Sequence, residues 1–467
     1  MASVSGFFVE LRRRNVFRVA AAYVVAAWLL LQVTGLALES WGFPPSALRY
    51  IWIGTLIGFP IAIIFGWTYD IIDGRIVRTR TAQAGDKVDT SLGRGDFLLL
   101  GAMTIVLVAI IYGAFDQIQS KDSINTKEHI AVFVSTWPEA DVMFRRDPYW
   151  LGGDTSTSID LGGGRVLWLF GDSFIASMRG QSRAEATFVR NSVAIQRGYD
   201  PSSATLQFYW RVDGPRPTSF FADNGDRWYW PATVVLIDRS LLIFLTETRR
   251  IDHGLGFENT GMTAIIVDNP QDTPDLWRVN EIPIPPNESG VFIGFAETIR
   301  VEDYVYAFSK QEATNEVYLI RWSLEELSTG SLEGAEWWSG DTDQWVRTEE
   351  SGEKARPVFS DTPTDFSIHY DQNLKKFVQL QTWGFGSAVV AMRTAAKLTG
   401  PWSDRQIIYR PGESRRPDAM VYGGKGHIHL IGADIVATYN ANSAIFSNLL
   451  KDQSIYYPRF IRIDIEP

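Results

Sequence analysis

The chain of 467 residues carries 44 Lys and Arg against 54 Asp and Glu, a formal charge of −10, and no cysteine. Its length exceeds one ordinary domain, and the absence of cysteine excludes a disulfide framework, a thiolate zinc or iron–sulfur centre and a cysteine nucleophile. The acidic balance, with a pI near 5.2, argues against nucleic acid as a partner.

Three uncharged runs open the chain: VAAAYVVAAWLLLQVTGLAL at 19–38, YIWIGTLIGFPIAIIFGWTY at 50–69 and FLLLGAMTIVLVAIIYGAF at 97–115. Each has the length that crosses about 30 Å of hydrocarbon, so three transmembrane helices are predicted. Trp and Tyr at the ends of the second run suit the headgroup layer. No small-residue cleavage site follows residue 38, and further spans follow it, so the first run reads as a span and not a cleaved leader. Asp70 and Asp73 fall at the end of the second run, which offers no proton relay.

Basic residues set the orientation. Arg12, Arg13, Arg14 and Arg18 precede the first span, and Arg75, Arg78, Arg80, Lys87 and Arg94 lie in the 70–96 loop, against Arg49 alone in the 39–49 loop. The N-terminus and the second loop are therefore expected in the cytoplasm and residue 116 onward outside it. Residues 1–120 carry a charge of +2 and the remainder −12, so the exported part reads as a separate acidic body. The stretch FFVELRRRNVFRVAAAYVVAAWLLLQV, positions 7–33, resembles a bacterial membrane-anchor module that precedes varied C-terminal domains, including cyclases and helical-repeat proteins. That resemblance implies a lipid-bilayer tether in a bacterial inner membrane with the rest of the chain in the periplasm.

The polar stretch DQIQSKDSINTKEHI at 116–130 has no hydrophobic periodicity; the anchor is taken to end at 120, with a linker over 121–130. From 131 to 467, short alternating apolar runs rich in Gly and aromatics, with helical periodicity only near 322–328, predict a mainly β domain. Five strand pairs stand out, starting at 154, 230, 292, 364 and 417. Their spacing leaves room in each unit for two outer strands, which predicts a five-bladed β-propeller over a two-sheet sandwich.

In a propeller the innermost strands line a central funnel, so polar residues at the hairpin starts are the candidates for chemistry. The first hairpin begins with Asp154 and ends with Asp172, and the others offer Glu297, Asp365, His369, Tyr370, Asp418, His427 and His429, with Trp230 where other hairpins supply acids. Several motifs then follow in order: GGDTSTSIDLGGGRVLWLFGDSF from 152, RNS at 190–192, YWP at 229–231, TDFSIHYD at 364–371, TGPWS at 399–403, TYNANS at 438–443 and IYYPRF at 455–460. Together they resemble a family of uncharacterised glycosidase-like five-bladed propellers, similar in architecture to the arabinanase, xylosidase and invertase clans.

The resemblance implies a glycan ligand and two funnel carboxylates, one protonating the leaving oxygen and one attacking the sugar or activating water. By position, Asp154 is the expected base or nucleophile and Glu297 the acid, with Asp172 or Asp365 orienting the sugar and raising the acid's pKa. Each could instead cap a turn or sit on a solvated face. Trp230 and Trp383 are candidate stacking platforms, and Arg190 and Asn191 could bind hydroxyls or a carboxylated sugar or brace the first blade. His369 and Tyr370 complete the substrate-binding candidates. No spacing specifies a metal, although calcium held by funnel carboxylates is compatible with this architecture. Serine-triad, P-loop and dinucleotide motifs are lacking. A non-catalytic glycan-binding or envelope scaffold protein, or a sensor needing a cytoplasmic partner, is the alternative to an enzyme.

Overall fold

The structure is a computed structural model. It describes residues 130–466 apart from 254–255, 288–289, 341–343, 349–353, 361, 363 and 385–387, and before residue 130 only 23, 27, 31, 55, 58, 59, 62, 63, 69–72 and 75–78. The chain divides into two compact units, Met1–Thr126 and Lys127–Pro467.

In the first unit the span expected at 97–115 and the 116–129 stretch lie outside the described residues, and the other two spans are described at a few helical positions. Tyr23 Oη donates to the carbonyl of Thr55 at 2.8 Å, joining those two segments. Among the described residues, no helix is long and apolar enough to cross a membrane. One feature departs from the hydropathy reading: Tyr69–Ile72 pairs antiparallel with Arg75–Arg78, Ile72 opposite Arg75, where a span end and an open loop were expected. In the sequence, Asp73-Gly74 between them is a dipeptide favoured in two-residue hairpin turns.

The second unit is mainly β. Five consecutive antiparallel sheets each begin with one of the expected hairpins and continue outward. Blade I runs Thr157–Gly162, Arg165–Phe170, Ser192–Arg197 and Thr205–Tyr209. Blade II runs Arg227–Ile237, Ser240–Arg250, Phe257–Val267 and Val279–Ile282. Blade III has six strands, opening with Val291–Val301, Tyr304–Gln311 and Glu316–Ser323. Blade IV runs Ser367–Asp371, Lys376–Trp383, Val389–Ala395 and Gln406–Tyr409. Blade V takes Ala419–Gly426, Ile435–Ser443 and Arg459–Ile465 from the C-terminus and its outer strand, Val132–Thr136, from the start of the unit. That last pairing closes the ring by joining the unit's two ends in one sheet.

The second strands of blades I and II carry continuous apolar runs, VLWLF and LLIFL, because both faces of each sheet are covered by the neighbouring blades. Among the described residues, five cores fill the gaps between blades. Trp168, Phe170, Val436 and Phe460 fill the gap between blades V and I, and Leu167, Val193, Val234 and Ile243 that between I and II. Phe244, Ile293 and Trp322 lie between II and III, Phe308, Phe366 and Ile368 between III and IV, and Leu380, Val421 and Ile463 between IV and V. The helical turn expected near 322–328 is Leu324–Ser328, capped by Ser323 and Glu326 in a reciprocal box.

The first strands succeed one another around a common axis: I meets II, II meets III, III meets IV and IV meets V. Blades V and I meet through side chains, with Ser158 Oγ 2.6 Å from His427 Nδ1.

Candidate active site

The site is built on a strained turn. Thr155 and Ser156 both have positive φ, +74° and +46°, immediately after Asp154. Each non-glycine residue there costs about 1–3 kcal/mol, so the surroundings must enforce the turn. They do so with main-chain bonds: Gly153 N–H to the Tyr456 carbonyl and Gly171 N–H to the Asp154 carbonyl, each at 3.0 Å. Residue 171 has to be glycine, because a Cβ there would stand 2.6 Å from Asp154 Oδ1 and 2.8 Å from Thr155 Oγ1.

The turn aims Asp154 at two phenols. Its Oδ2 accepts from Tyr422 Oη at 2.6 Å and Tyr456 Oη at 3.4 Å. Tyr422 Oη in turn accepts from Asn442 Nδ2 at 3.1 Å. Burial pushes Asp154 up from 3.8 to about 7, with the negative charges of Asp172 and Asp365 adding to it and the two phenols opposing it. Asp172 Oδ1 accepts from Trp230 Nε1 at 2.8 Å, and Arg190 stands 3.4 Å from Oδ2. Burial raises Asp172 to about 6 against the pull of Arg190 and Trp230. Arg190 itself lies over the Trp228 ring, 4.2 Å from its centroid.

Glu297 follows a register shift in the first strand of blade III. Its carboxylate accepts from the N–H of Thr298 at 2.8 Å and from that of Ile368, on blade IV, at 3.3 Å. Burial pushes it from 4.5 to about 7; Asp365 adds to the rise, while Lys425 and the two N–H groups oppose it. Asp365 pairs with the Lys425 ammonium at 3.0 Å. Asp154 and Glu297 thus both feel Asp365, and the acids of blades I, III and IV form one electrostatic unit. Two carboxyls that exchange protons near neutrality, beside further acids, are equipped for general acid and base work.

Not every candidate joins this group. Asn191 is buried and braces main chain: its Nδ2 donates to the carbonyls of Phe221 and Tyr229 at 3.0 and 2.9 Å, and its Oδ1 accepts from Phe221 N at 2.7 Å. His369 is buried on the face of blade IV toward blade V; its nitrogens have no hydrogen-bond partner among the described residues, and burial lowers it to about 4. Tyr370 points the other way along the alternating strand, exposed and edge-on to Phe377. Trp383 packs under the Arg405 guanidinium, 4.2 Å from its ring centroid. Asp418 is held by Ser443, Asn448 and Arg416 away from the acids. His427 and His429 share Ser158 Oγ, at 2.6 and 3.1 Å, and His427 also meets Thr438 Oγ1 at 2.8 Å, which occupies it structurally. Tyr422, Tyr456 and Lys425 belong to the site and were not among the candidates; the only sequence signals for them were the motif IYYPRF and a lysine within GGKGHIH.

The raised carboxyls also tie stability to pH. Between their ordinary values near 4 and their folded values near 7, the folded chain binds more protons than the unfolded chain. Their contribution to stability is complete below about pH 4 and is lost as pH rises through about 7. Asp154→Asn and Glu297→Gln should therefore each raise Tm at pH 8 by about 2–4 °C and give no gain at pH 4.5. Thermal melts across pH check this, and a gain independent of pH would contradict it.

Residues 139–465 match the family described as Domain of unknown function (DUF5005). No curated protein matches the chain. Among solved structures, a provisionally described hydrolase from Bacteroides ovatus ATCC 8483 is 17% identical with a TM-score of 0.57, covering 73% of this chain and 92% of its own. The catalytic domain of a Coprinopsis cinerea GH62 α-L-arabinofuranosidase is 11% identical with a TM-score of 0.37, covering 69% and 92%. A GH43_1 enzyme from Xanthomonas citri, complexed with xylotriose, is 11% identical with a TM-score of 0.38, covering 72% and 89%. The match spans most of the chain and every blade strand except Val132–Thr136: this protein belongs to the DUF5005 family.

Proposed function

We propose that the propeller unit binds a glycan at the axial acids and hydrolyses it, with Glu297 as proton donor and Asp154 as base or nucleophile. The observation that carries this reading is that both carboxyls, from blades I and III, are raised to about 7 within one group of acids. Asp172, fixed by Trp230 and Arg190, and Asp365 supply the neighbouring negative charge, and Trp230 the apolar face on which a sugar stacks. The three uncharged runs before residue 120 support a further part of the proposal: a membrane tether that leaves this unit facing the periplasm.

One observation favours a non-catalytic glycan-binding protein instead. Each of the four acids already has a protein partner: tyrosines for Asp154, Trp230 for Asp172, main-chain N–H for Glu297 and Lys425 for Asp365. Product analysis by mass spectrometry separates the two, using the detergent-solubilised full chain and a panel of plant and bacterial glycans. Cleavage is the expected result; binding without cleavage of any member would favour the alternative, and neither would overturn both.

A further inference from the structure

Lysine is among the residues least often buried, because its ammonium has to recover in the interior what it loses in water. Lys425 is only 3% exposed. It lies in the first strand of blade V, just past a register shift between Tyr422 and Lys425 that contains Gly423 and Gly424. The shift exists because the backbone runs against blade IV: a Cβ on residue 424 would be 2.8 Å from the Thr382 amide nitrogen. The flanking amides are pinned to the same blade, Gly424 N–H to Thr382 Oγ1 at 3.3 Å and Gly426 N–H to Ser367 Oγ at 2.7 Å.

From that anchored position the side chain crosses the axis. An ammonium has three donors and no acceptor, and all three are used on different blades. Nζ donates to Thr157 Oγ1 of blade I at 2.8 Å, to the Ala232 carbonyl of blade II at 3.3 Å and to Asp365 Oδ2 before blade IV at 3.0 Å. Thr157 Oγ1 also donates to Ala232 O at 3.2 Å, which closes a small network around the ammonium. The ammonium of blade V thus joins blades I and II to the residue that leads into blade IV. The other titratable groups near it are His427, just past its own strand, and, beyond Asp365, Asp154.

We propose that Lys425 is a positioning residue of the axial site, whose buried ammonium, fixed on blades I and II, holds the Asp365 carboxylate in place. This rests on reading the axial acids as the site, with Glu297 as the proton donor. The ammonium lowers the cost of ionising Glu297, which burial and Asp365 oppose, and so keeps the acid able to lose its proton as well as hold it. A neutral residue of similar length would free Asp365 and leave Glu297 protonated to higher pH.

The test is a carboxyl titration by 13C NMR of the full chain labelled with 13C-glutamate, the Glu297 signal being identified by its loss in Glu297→Gln. Lys425→Gln keeps two hydrogen-bond donors without the charge, and should move the Glu297 midpoint upward by about one unit. Lys425→Arg keeps the charge and should move it by less than half as much. A folded Lys425→Gln protein with an unchanged midpoint would overturn the proposal, since no ammonium would then be fixed among the acids. So would unfolding of both variants, judged by circular dichroism, since that marks Lys425 as a strut needed for its shape. Folding of the Arg variant alone, with the wild-type midpoint, would support the need for charge. Glycan cleavage is not read in this experiment, so a failed glycosidase assay and a failed titration are separate results.

Discussion

Glu297→Gln is expected to lower kcat by about 10²–10⁴-fold on any glycan the protein cleaves, with KM changed by no more than a few-fold. Gln matches Glu in size, and its single oxygen can keep one of the two main-chain bonds, the shorter one from Thr298 to Oε1, while that from Ile368 to Oε2 is lost. What it lacks is a proton to give to the departing oxygen. The deficit should therefore vanish on an aryl glycoside whose leaving group, a nitrophenolate, needs no proton. Asp154→Asn should show a loss of similar size on both kinds of substrate, because the base or nucleophile is needed whatever departs. With Asp154 and Glu297 both near 7, the wild-type rate should follow a narrow bell centred near neutrality, one group ionised and the other protonated. Equal losses on the two substrates for Glu297→Gln would remove it from the donor role, and unchanged rates in both variants would remove the pair from the chemistry.

The largest expected effect on stability is at Arg183, which is 1% exposed. Its guanidinium donates to four main-chain carbonyls: Leu151 at 2.7 Å, Leu449 and Asp452 at 3.0 Å, and Ile455 at 2.8 Å. It also lies 5.0 Å from the Tyr457 ring centroid and 5.9 Å from that of Tyr456. These contacts tie the turn before Asp154 to the segment that carries Tyr456, one of the two phenols on Asp154. Arg183→Met would leave those carbonyls buried without donors and should cost about 3–5 kcal/mol in urea unfolding. Arg183→Lys keeps the charge and loses the planar fork, and should recover less than half of that. The linkage also predicts that Asp154 is disturbed in the Met variant. A loss below 1 kcal/mol would mean that water replaces the guanidinium without cost.

Much of the second unit was legible from local pattern. The five hairpins could be located because each is an apolar run buried on both faces and bounded by turn residues, and those signals depend on neighbours in sequence. Asp154, Asp172, Glu297 and Asp365 could be singled out because they belong to the innermost hairpins, Asp154 opening the first and Asp172 closing it, where a propeller turns its strands toward the axis. Alternation along a strand also explains what missed: His369 and Tyr370 are adjacent, so they point to opposite faces, one into the gap between blades IV and V and the other to solvent. Near the N-terminus, the ladder of Tyr69–Ile72 with Arg75–Arg78 was not legible from hydropathy, because apolar run length carries no information on strand pairing.

Sequence by itself determined the strand pairs, their order and the acids placed at their openings, since periodicity and turn chemistry act over a few residues. Only the tertiary structure decided which groups meet. Tyr422 reaches Asp154 across 268 residues, Lys425 reaches Thr157 across the same separation, and Val132–Thr136 becomes the outer strand of the last blade. Closing the ring brings these residues together, and closure also removes the water that would have kept Asp154 and Glu297 at ordinary carboxylate values. Partnership and protonation are consequences of burial, and burial is a property of the assembled ring.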